Sequence, residues 1–432
     1  MTEKEKDEYL AYLAGKGSVM GLASIKCLLS YLGNPEKDQK VIQIAGTNGK
    51  GSILSMLSSV LKEAGYKVGA FSSPAVFEER EIIKCGKRNI AASEYLTYLQ
   101  KMRETTEQME ADGQPCPTLF EVQTAMAYLY FKEKAMDVVI METGLGGAED
   151  ATNVCAKNLA AVFATISLDH IGILGDSIEK ITAVKAGIMK AGCAAIAGQQ
   201  AKAALTVLRR MAKETGTVLK EPEFVPENIK CYKNKTMFSY GNYKKLIIPL
   251  LGAHQVKNAI AVLDTVDVLN GQGFHITEKA LRQGLENAVW PGRLEIIKEK
   301  PLVILDGAHN EDAAKQLKEA LLTLTGKQPL ILLMGMFRDK EYEKVVSIMA
   351  PLGAQIITVS LPNQQRTLPA HQLADCVRKL NPNVTEAESI EEAVEIAKLL
   401  SGGICPIVAF GSLSHLGKIR ACFLQKGKQF VP

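Results

Sequence analysis

The sequence predicts an α/β protein, with a mostly parallel sheet in the N-terminal two-thirds and a second, smaller α/β unit in the C-terminal third. Three observations carry this. Short apolar runs suited to buried strands recur along the chain. Each is followed by a glycine-rich or polar turn and then an amphipathic stretch, the order of βαβ units in a parallel sheet. The series halts near a charged segment at 298–301 and then starts afresh.

Val41-Ile42-Gln43-Ile44-Ala45 reads as the first buried strand. After a glycine-rich loop, Ser52 to Ala64 places Ile53, Leu54, Leu57, Val60 and Leu61 on one helical face, with Gly65 as a stop. Val68 to Phe71 returns as a strand. Two further strands end in polar residues: Asp137 to Met141 leads to Glu142, and Ala160 to Ser167 leads to Asp169-His170. Lys185 falls on a helix beginning after Asp176-Ser177, where Asp176 and Glu179 suggest a capping box. Phe238 to Ile248 reads as a hairpin around Gly241-Asn242, and a helix follows from about His254 to Leu269. Lys298-Glu299-Lys300-Pro301 reads as a linker, with a domain boundary near 297. Beyond it come strand Leu302–Leu305, helix Glu311–Leu324, strand Leu330–Met334, a helix near Tyr342–Met349, strand Gln355–Val359, helix Ile390–Leu399 and strand Ile404–Phe410.

Composition narrows the function. The 432 residues suit two or three domains, and 47% hydrophobic with 23% charged residues is ordinary for a globular chain. A net charge of +4 predicts no nucleic-acid partner, though a local basic pocket for an anionic substrate is compatible with it. The charged start, Met1 to Glu8, lacks the apolar core of a signal peptide. The longest apolar run, Leu159 to Ile166, is far below the roughly 18 residues of a spanning helix. A cytoplasmic protein with no membrane partner is expected. Nine scattered cysteines with no CxxC pair argue against a disulfide framework and a zinc site.

The strongest motif is Gly46-Thr47-Asn48-Gly49-Lys50-Gly51-Ser52, between a strand and a helix. Glycines let backbone N–H groups approach phosphate oxygens, the helix N-terminus adds positive potential, and Lys50 adds a full charge. The spacing is not G-x-x-x-x-G-K-[ST]: Ile44 stands at the first glycine, and Gly51 intervenes before Ser52. Glu142, ahead of Gly144-Leu145-Gly146-Gly147, is a carboxylate suited to Mg²⁺ beside such a loop. Alone it would read as a solvated strand-end residue. His170 is a second candidate at a strand end, against the plainer reading of a satisfied polar residue. Lys185 reads by default as an exposed helix lysine. In the second unit, Asp306 or His309 of Asp306-Gly307-Ala308-His309-Asn310 could touch a nucleotide, while Asn310 suits a helix cap.

These motifs, with Gly21-Leu22, Phe71-Ser72-Ser73-Pro74, Phe120-Glu121, Glu142 to Asn153, Lys185 to Ile188, His254-Gln255, Asn258, Trp290 with Gly292-Arg293, Asp339-Lys340 and Gly411-Ser412-Leu413, run collinearly over nearly the whole chain. Their order resembles the folylpolyglutamate synthase/dihydrofolate synthase family of the Mur ligase superfamily. The resemblance implies an N-terminal P-loop ATPase domain over residues 1–297 and a C-terminal Rossmann-like glutamate ligase domain over 298–432. It implies ATP-driven joining of L-glutamate to a folate or folylpolyglutamate through an acyl phosphate, or to dihydropteroate in the sister activity, by a monomer. It implies Mg²⁺, as two ions, held by Ser73, Glu142, His170 and a carbamylated Lys185. ATP contacts would come from Gly46 to Ser52, Asn258, Arg293, Asp306 and His309. Pterin-side contacts would come from Gly21, Leu22, Phe120, Glu121 and Asp150, and Lys50, Lys185 and His170 would be catalytic. Three positions depart from the family pattern: Ala75 stands for a histidine, Ala148-Glu149 removes an arginine, and Val184 stands for a glutamate. The lost basic side chain bears on substrate preference. A P-loop kinase or GTPase is disfavoured by the loop spacing and by the lack of a guanine-reading N-K-x-D motif.

Overall fold

The computed structural model describes residues 1–326, 328–362 and 365–424. Its strands are β1 (Val41–Ala45), β2 (Val68–Phe71), β3 (Ile83–Cys85), β4 (Arg88–Asn89), β5 (Val138–Glu142), β6 (Ala160–Phe163), β7 (Ala194–Ile196), β8 (Val218–Lys220), β9 (Glu227–Cys231), β10 (Thr236–Tyr240), β11 (Tyr243–Ile248), β12 (Glu295–Glu299), β13 (Leu302–Leu305), β14 (Leu330–Met334), β15 (Gly353–Val359), β16 (Val384–Ala387) and β17 (Ile407–Phe410). The first sheet runs β4-β3-β2-β5-β1-β6-β7-β8. From β2 to β8 it is parallel, and β3 and β4 add antiparallel edges.

Every residue of β1 is buried, as expected for a central strand covered on both faces. Ile42 and Ile44 pack with the helices Lys50–Glu63, His254–Gly271 and Glu278–Glu286 and with the antiparallel sheet β11-β10-β9. On the other face, Val41 joins a cluster with Leu119–Glu133, Ala92–Ala111 and the N-terminal helices, and Ala45 joins one with Ile178–Ala186 and Lys202–Thr215. Gln43 lies between those two clusters. Its amide donates to Thr152 Oγ1 at 3.1 Å and accepts from Asn158 Nδ2 at 3.0 Å, which satisfies an amide that burial would otherwise penalise. The second sheet, β12-β13-β17-β14-β15-β16, is parallel except for β12.

Several expectations need correction. Lys298 and Glu299 are not linker but the end of β12, which pairs antiparallel with β13 through the turn at Lys300-Pro301. Only Ile296 and Ile297 are apolar in this strand, too short a run to mark it beside the charges that follow. β6 stops at Phe163, because the following residues leave the ladder to hold the phosphate loop. Asp176 and Glu179 make no capping box: Ser177 caps the helix Ile178–Ala186 by accepting from Lys180 N, and Asp176 pairs with Lys180 instead. The last strand begins at Ile407 rather than Ile404, which is 84% exposed. Asn310 does cap the helix Glu311–Thr325. Among the described residues no helix is long and apolar enough to cross a membrane, and the nine cysteines are free.

Candidate active site

The chain leaves β1 for β2 on one side, while β6 lies on the other, so the carboxyl end of β1 opens a crevice at a topological switch point. The loop 46–49 lies there and the helix Lys50–Glu63 starts at its end. Gly49 is the N-cap at φ +94°, and a Cβ on it would lie 2.3 Å from Asn258 Oδ1. Only glycine fits that conformation and that approach. Thr47 N and Asn48 N both donate to Thr165 O, at 2.8 and 3.1 Å, and Thr47 Oγ1 donates to Ser167 O at 2.9 Å. The loop is therefore braced by the segment after β6. Lys50 Nζ donates to Gly46 O at 3.2 Å and stands 3.9 Å from Glu142 Oε1. Gly51 packs directly beneath the ring of Trp290, and Ser52 is buried in the first helical turn.

Glu142 ends β5, and Ser73 follows the neighbouring β2, since Phe71 pairs with Met141. Glu142 Oε2 is buried with no hydrogen-bond partner. Burial pushes its carboxyl up to about 7, against the pull of Lys50 and Arg293. Lys185 is not an exposed lysine. It is 5% exposed, and its Nζ donates to Gly46 O at 2.9 Å. Burial, then the charge of Lys50, pushes its amine down to about 7. His170 follows β6 in a left-handed conformation, φ +52°, and caps the short helix Ile171–Leu174. Burial and the nearby Lys340 push its imidazole down to about 4, so it is neutral near pH 7. A buried, unpartnered carboxylate oxygen and a neutral imidazole suit a divalent cation. Among the described residues no three His, Cys, Asp or Glu side chains form a metal cluster by themselves, so such a site would also need the Ser73 hydroxyl or Lys185.

The second sheet presents its own strand ends to this loop. Asp306 follows β13, and its two oxygens accept from Leu294 N and Ala308 N, both at 2.8 Å. His309 Nδ1 lies 2.7 Å from Gly307 O, and its Nε2 lies 3.6 Å from Asp169. Asn310 Nδ2 donates to Asn48 Oδ1 at 3.1 Å and to Asp169 Oδ2 at 3.2 Å. Asn48 Nδ2 donates back to Asp312 Oδ2 at 2.8 Å. Lys340, after β14, donates to Asp169 Oδ1 at 2.7 Å. Burial alone would raise Asp169, but His309 and Lys340 hold its carboxyl well below the usual range. Between the loop and the second unit lies a narrow cleft, lined by Gly49, Ser52, Asn258, Arg293, Asp306 and Gln316 among others. Asn258 Nδ2 donates to Gln255 Oε1 at 2.9 Å, which aims its Oδ1 at the loop.

The remaining candidates lie on the far side of the glycine-rich stretch. Gly21 N donates to Glu149 O at 3.3 Å, and Leu22 is the N-cap of the helix Ala23–Tyr31. The Phe120 ring fills the space where a Cβ on Gly144 would lie. Glu121 caps its own helix through Thr118, and its Oε1 is buried without a partner. Asp150 spends both oxygens locally, on Leu145 N at 2.7 Å and on Thr152 N and Oγ1 at 3.0 and 2.6 Å. Sequence reasoning gave no role to Asp169, Asn310 or Lys340 as a bridge between the two units. Asp339-Lys340 was visible as a motif, but nothing local says which partner a loop lysine meets.

Residues 44–266 match the Mur ligase middle domain, and residues 292–412 match the Mur ligase glutamate ligase domain. The chain is 33% identical over 408 residues to the dihydrofolate synthase/folylpolyglutamate synthase of Bacillus subtilis, covering 93% of this chain and 94% of that one. This chain belongs to the folylpolyglutamate synthase/dihydrofolate synthase family of Mur ligases. The structure of Mycobacterium tuberculosis folylpolyglutamate synthase complexed with ADP superposes with a TM-score of 0.90 at 26% identity, over 97% of this chain and 98% of that chain. An Escherichia coli protein solved in complex with DHPP and ADP gives 0.85 at 29% identity, over 96% and 97%. The Mur ligase architecture accounts for the two parallel-rich sheets and for the cleft between their strand ends.

Proposed function

We propose that this Mur ligase joins L-glutamate to the γ-carboxylate of folate or folylpolyglutamate, converting ATP to ADP and phosphate, as a cytoplasmic monomer. Joining of glutamate to dihydropteroate is the second reading, because the Bacillus subtilis relative carries both names. The observation that supports ligation best is the cross-bonding of Asn48 in the phosphate loop with Asn310 and Asp312 of the second sheet, which sets two strand-end crevices face to face. We divide the work between residues 1–297, which would hold ATP and folate, and 298–432, which would bring glutamate.

A carboxylate is a poor electrophile. Transfer of the γ-phosphoryl group of ATP to it gives an acyl phosphate with a good leaving group. The amine of glutamate then attacks the acyl carbon, and a tetrahedral intermediate expels phosphate. Positioning and charge stabilisation supply most of the catalysis. The N–H groups of 46–52 and Lys50 would take the phosphates, with Asn258, Arg293, Asp306 and His309 around the rest of the nucleotide. The oxygens of Asp306 already accept backbone N–H groups, so it would act through its remaining lone pairs. Ser73, Glu142, His170 and Lys185 would hold Mg²⁺, two ions in all, which neutralises phosphoryl charge when bound. An amine at about pH 7 is available as the neutral nucleophile that carbamylation of Lys185 by CO₂ requires. Gly21, Leu22, Phe120 and Glu121 would line the pterin side. Asp150 would line the same side, with Oδ1 already accepting two hydrogen bonds from Thr152 and Oδ2 one from Leu145 N.

The test is glutamate-dependent ADP release, measured with tetrahydrofolate and with dihydropteroate. Release with the first alone supports the main reading, and release with both supports a bifunctional enzyme. Release that ignores glutamate overturns ligation.

A further inference from the structure

His170 and Lys340 come from different sheets, yet Lys340 Nζ lies 3.2 Å from His170 Nε2 and 2.7 Å from Asp169 Oδ1. The lysine side chain is 7% exposed. Its loop is fixed: Arg338 N donates to Arg366 O at 2.8 Å, Arg338 Nε to Thr367 O at 2.7 Å, and Phe337 bridges to Thr367. The ammonium is thus aimed by a braced loop and is not a mobile surface charge.

An ammonium has three donors and no acceptor, so its contact with Nε2 uses the in-plane lone pair of an unprotonated nitrogen. A metal ion bound at that nitrogen needs the same lone pair. The two occupants exclude each other, and a divalent ion beside the ammonium would also be repelled. We propose that a divalent ion would bind His170 through Nε2, where Lys340 is seated as an internal cation that the ion must displace. This rests on the reading that His170 and Glu142 hold Mg²⁺. Because Lys340 belongs to the second unit, displacement couples metal binding to the contact between the two units. By linkage, the contact weakens metal binding by the same factor as the metal weakens the contact. Nucleotide phosphates would supply the anion that the displaced ammonium needs, so metal and nucleotide together would reseat it, whereas metal alone would leave it held by Asp169 only.

The probe is Mn²⁺ without nucleotide, titrated into the full chain and followed by the electron-spin resonance of the free ion, with spin-echo modulation reporting ¹⁴N ligation. Lys340→Met should tighten Mn²⁺ about tenfold or more, and imidazole nitrogen modulation should appear that is weak in the unaltered protein. Tightening without nitrogen modulation would mean a general charge effect and would overturn direct competition. Equal affinity in both proteins, at a site weakened by Glu142→Gln, would overturn the displacement but leave the metal reading standing. No Mn²⁺ binding sensitive to Glu142→Gln would remove the metal reading and this inference with it. A measurement on the unaltered protein guards against a variant that fails to fold. Backbone hydrogen exchange over residues 335–341 should rise when Mg²⁺ is added without nucleotide, and unchanged exchange there overturns the proposal.

Discussion

Gly51→Ala tests how tightly the helix Lys50–Glu63 is coupled to the wall of the cleft between the two units. A Cβ at residue 51 would lie 2.1 Å from Cζ2, 2.4 Å from Cε2 and 2.8 Å from Nε1 of Trp290. Ordinary contact is about 3.5 Å, so the ring must retreat by roughly 1.4 Å. Trp290 stands three residues before Arg293, which lines the cleft. It also lies under Lys84, whose Nζ is 5.3 Å from the ring centroid. Alanine in a helix gains about 1 kcal/mol over glycine, while overpacking costs about 1–3 kcal/mol. The net loss of stability is then at most about 2 kcal/mol, and the variant folds. If Arg293 positions ATP as proposed, a shift of about 1 Å there is enough to lower turnover on the order of a hundredfold. The chain has one tryptophan, so the ring reports on itself. We expect a changed emission maximum, a modest drop in the unfolding midpoint and a raised KM for ATP. An unchanged emission spectrum together with an unchanged KM would refute the coupling between Gly51, Trp290 and the cleft.

Lys50→Ala should lower glutamate-dependent ADP release about a hundred- to a thousandfold with the fold intact, each tenfold being about 1.4 kcal/mol of barrier. Near-normal release from the folded variant would remove Lys50 from phosphoryl transfer. Glu142 and Lys185 both titrate near 7, so falling pH neutralises the carboxylate and charges the amine, and both changes oppose a divalent cation. The Mg²⁺ concentration giving half-maximal activity should rise about tenfold or more per pH unit below 7, and a flat dependence between pH 6 and 8 contradicts this. For folding itself, the depressed Lys185 makes stability rise with pH between about 7 and the ordinary lysine value. The raised Glu142 makes stability fall with pH between the ordinary carboxyl value and about 7. Urea midpoints across those windows should show the two opposite slopes once metal is removed. Lys185→Ala should be nearly inactive and partly rescued by acetate, and failure of any small carboxylate to rescue it would speak for a positioning amine instead.

Much of the fold was legible locally. The strands Val68–Phe71, Leu302–Leu305 and Leu330–Met334 are apolar throughout and Val41–Ala45 is apolar but for Gln43, as strands covered on both faces require. The helices Ala92–Ala111 and Leu119–Glu133 escaped notice for opposite reasons. The first is largely polar, and ten residues of the second are buried, so neither shows a narrow apolar stripe. Strand β12 was hidden because its charged end sits at a sheet edge, where water still reaches the side chains.

By itself, the sequence determined the phosphate loop, since Gly49 needs φ +94° and a helix start next to a lysine, and both conditions are local. It also determined the order of the strand-end acids and bases. Only the tertiary structure decided what those groups meet. Lys185 is a helix lysine by spacing, but packing of its helix beneath Gly146 and Gly147 buries it, and desolvation then sets its amine near 7. Asp169 is a strand-end carboxylate by sequence. It is an anion shared by Lys340, His309 and Asn310 only because the two sheets face each other, 140 to 171 residues apart along the chain. Charge and burial act through space, and no periodicity along the chain records distances between separate sheets.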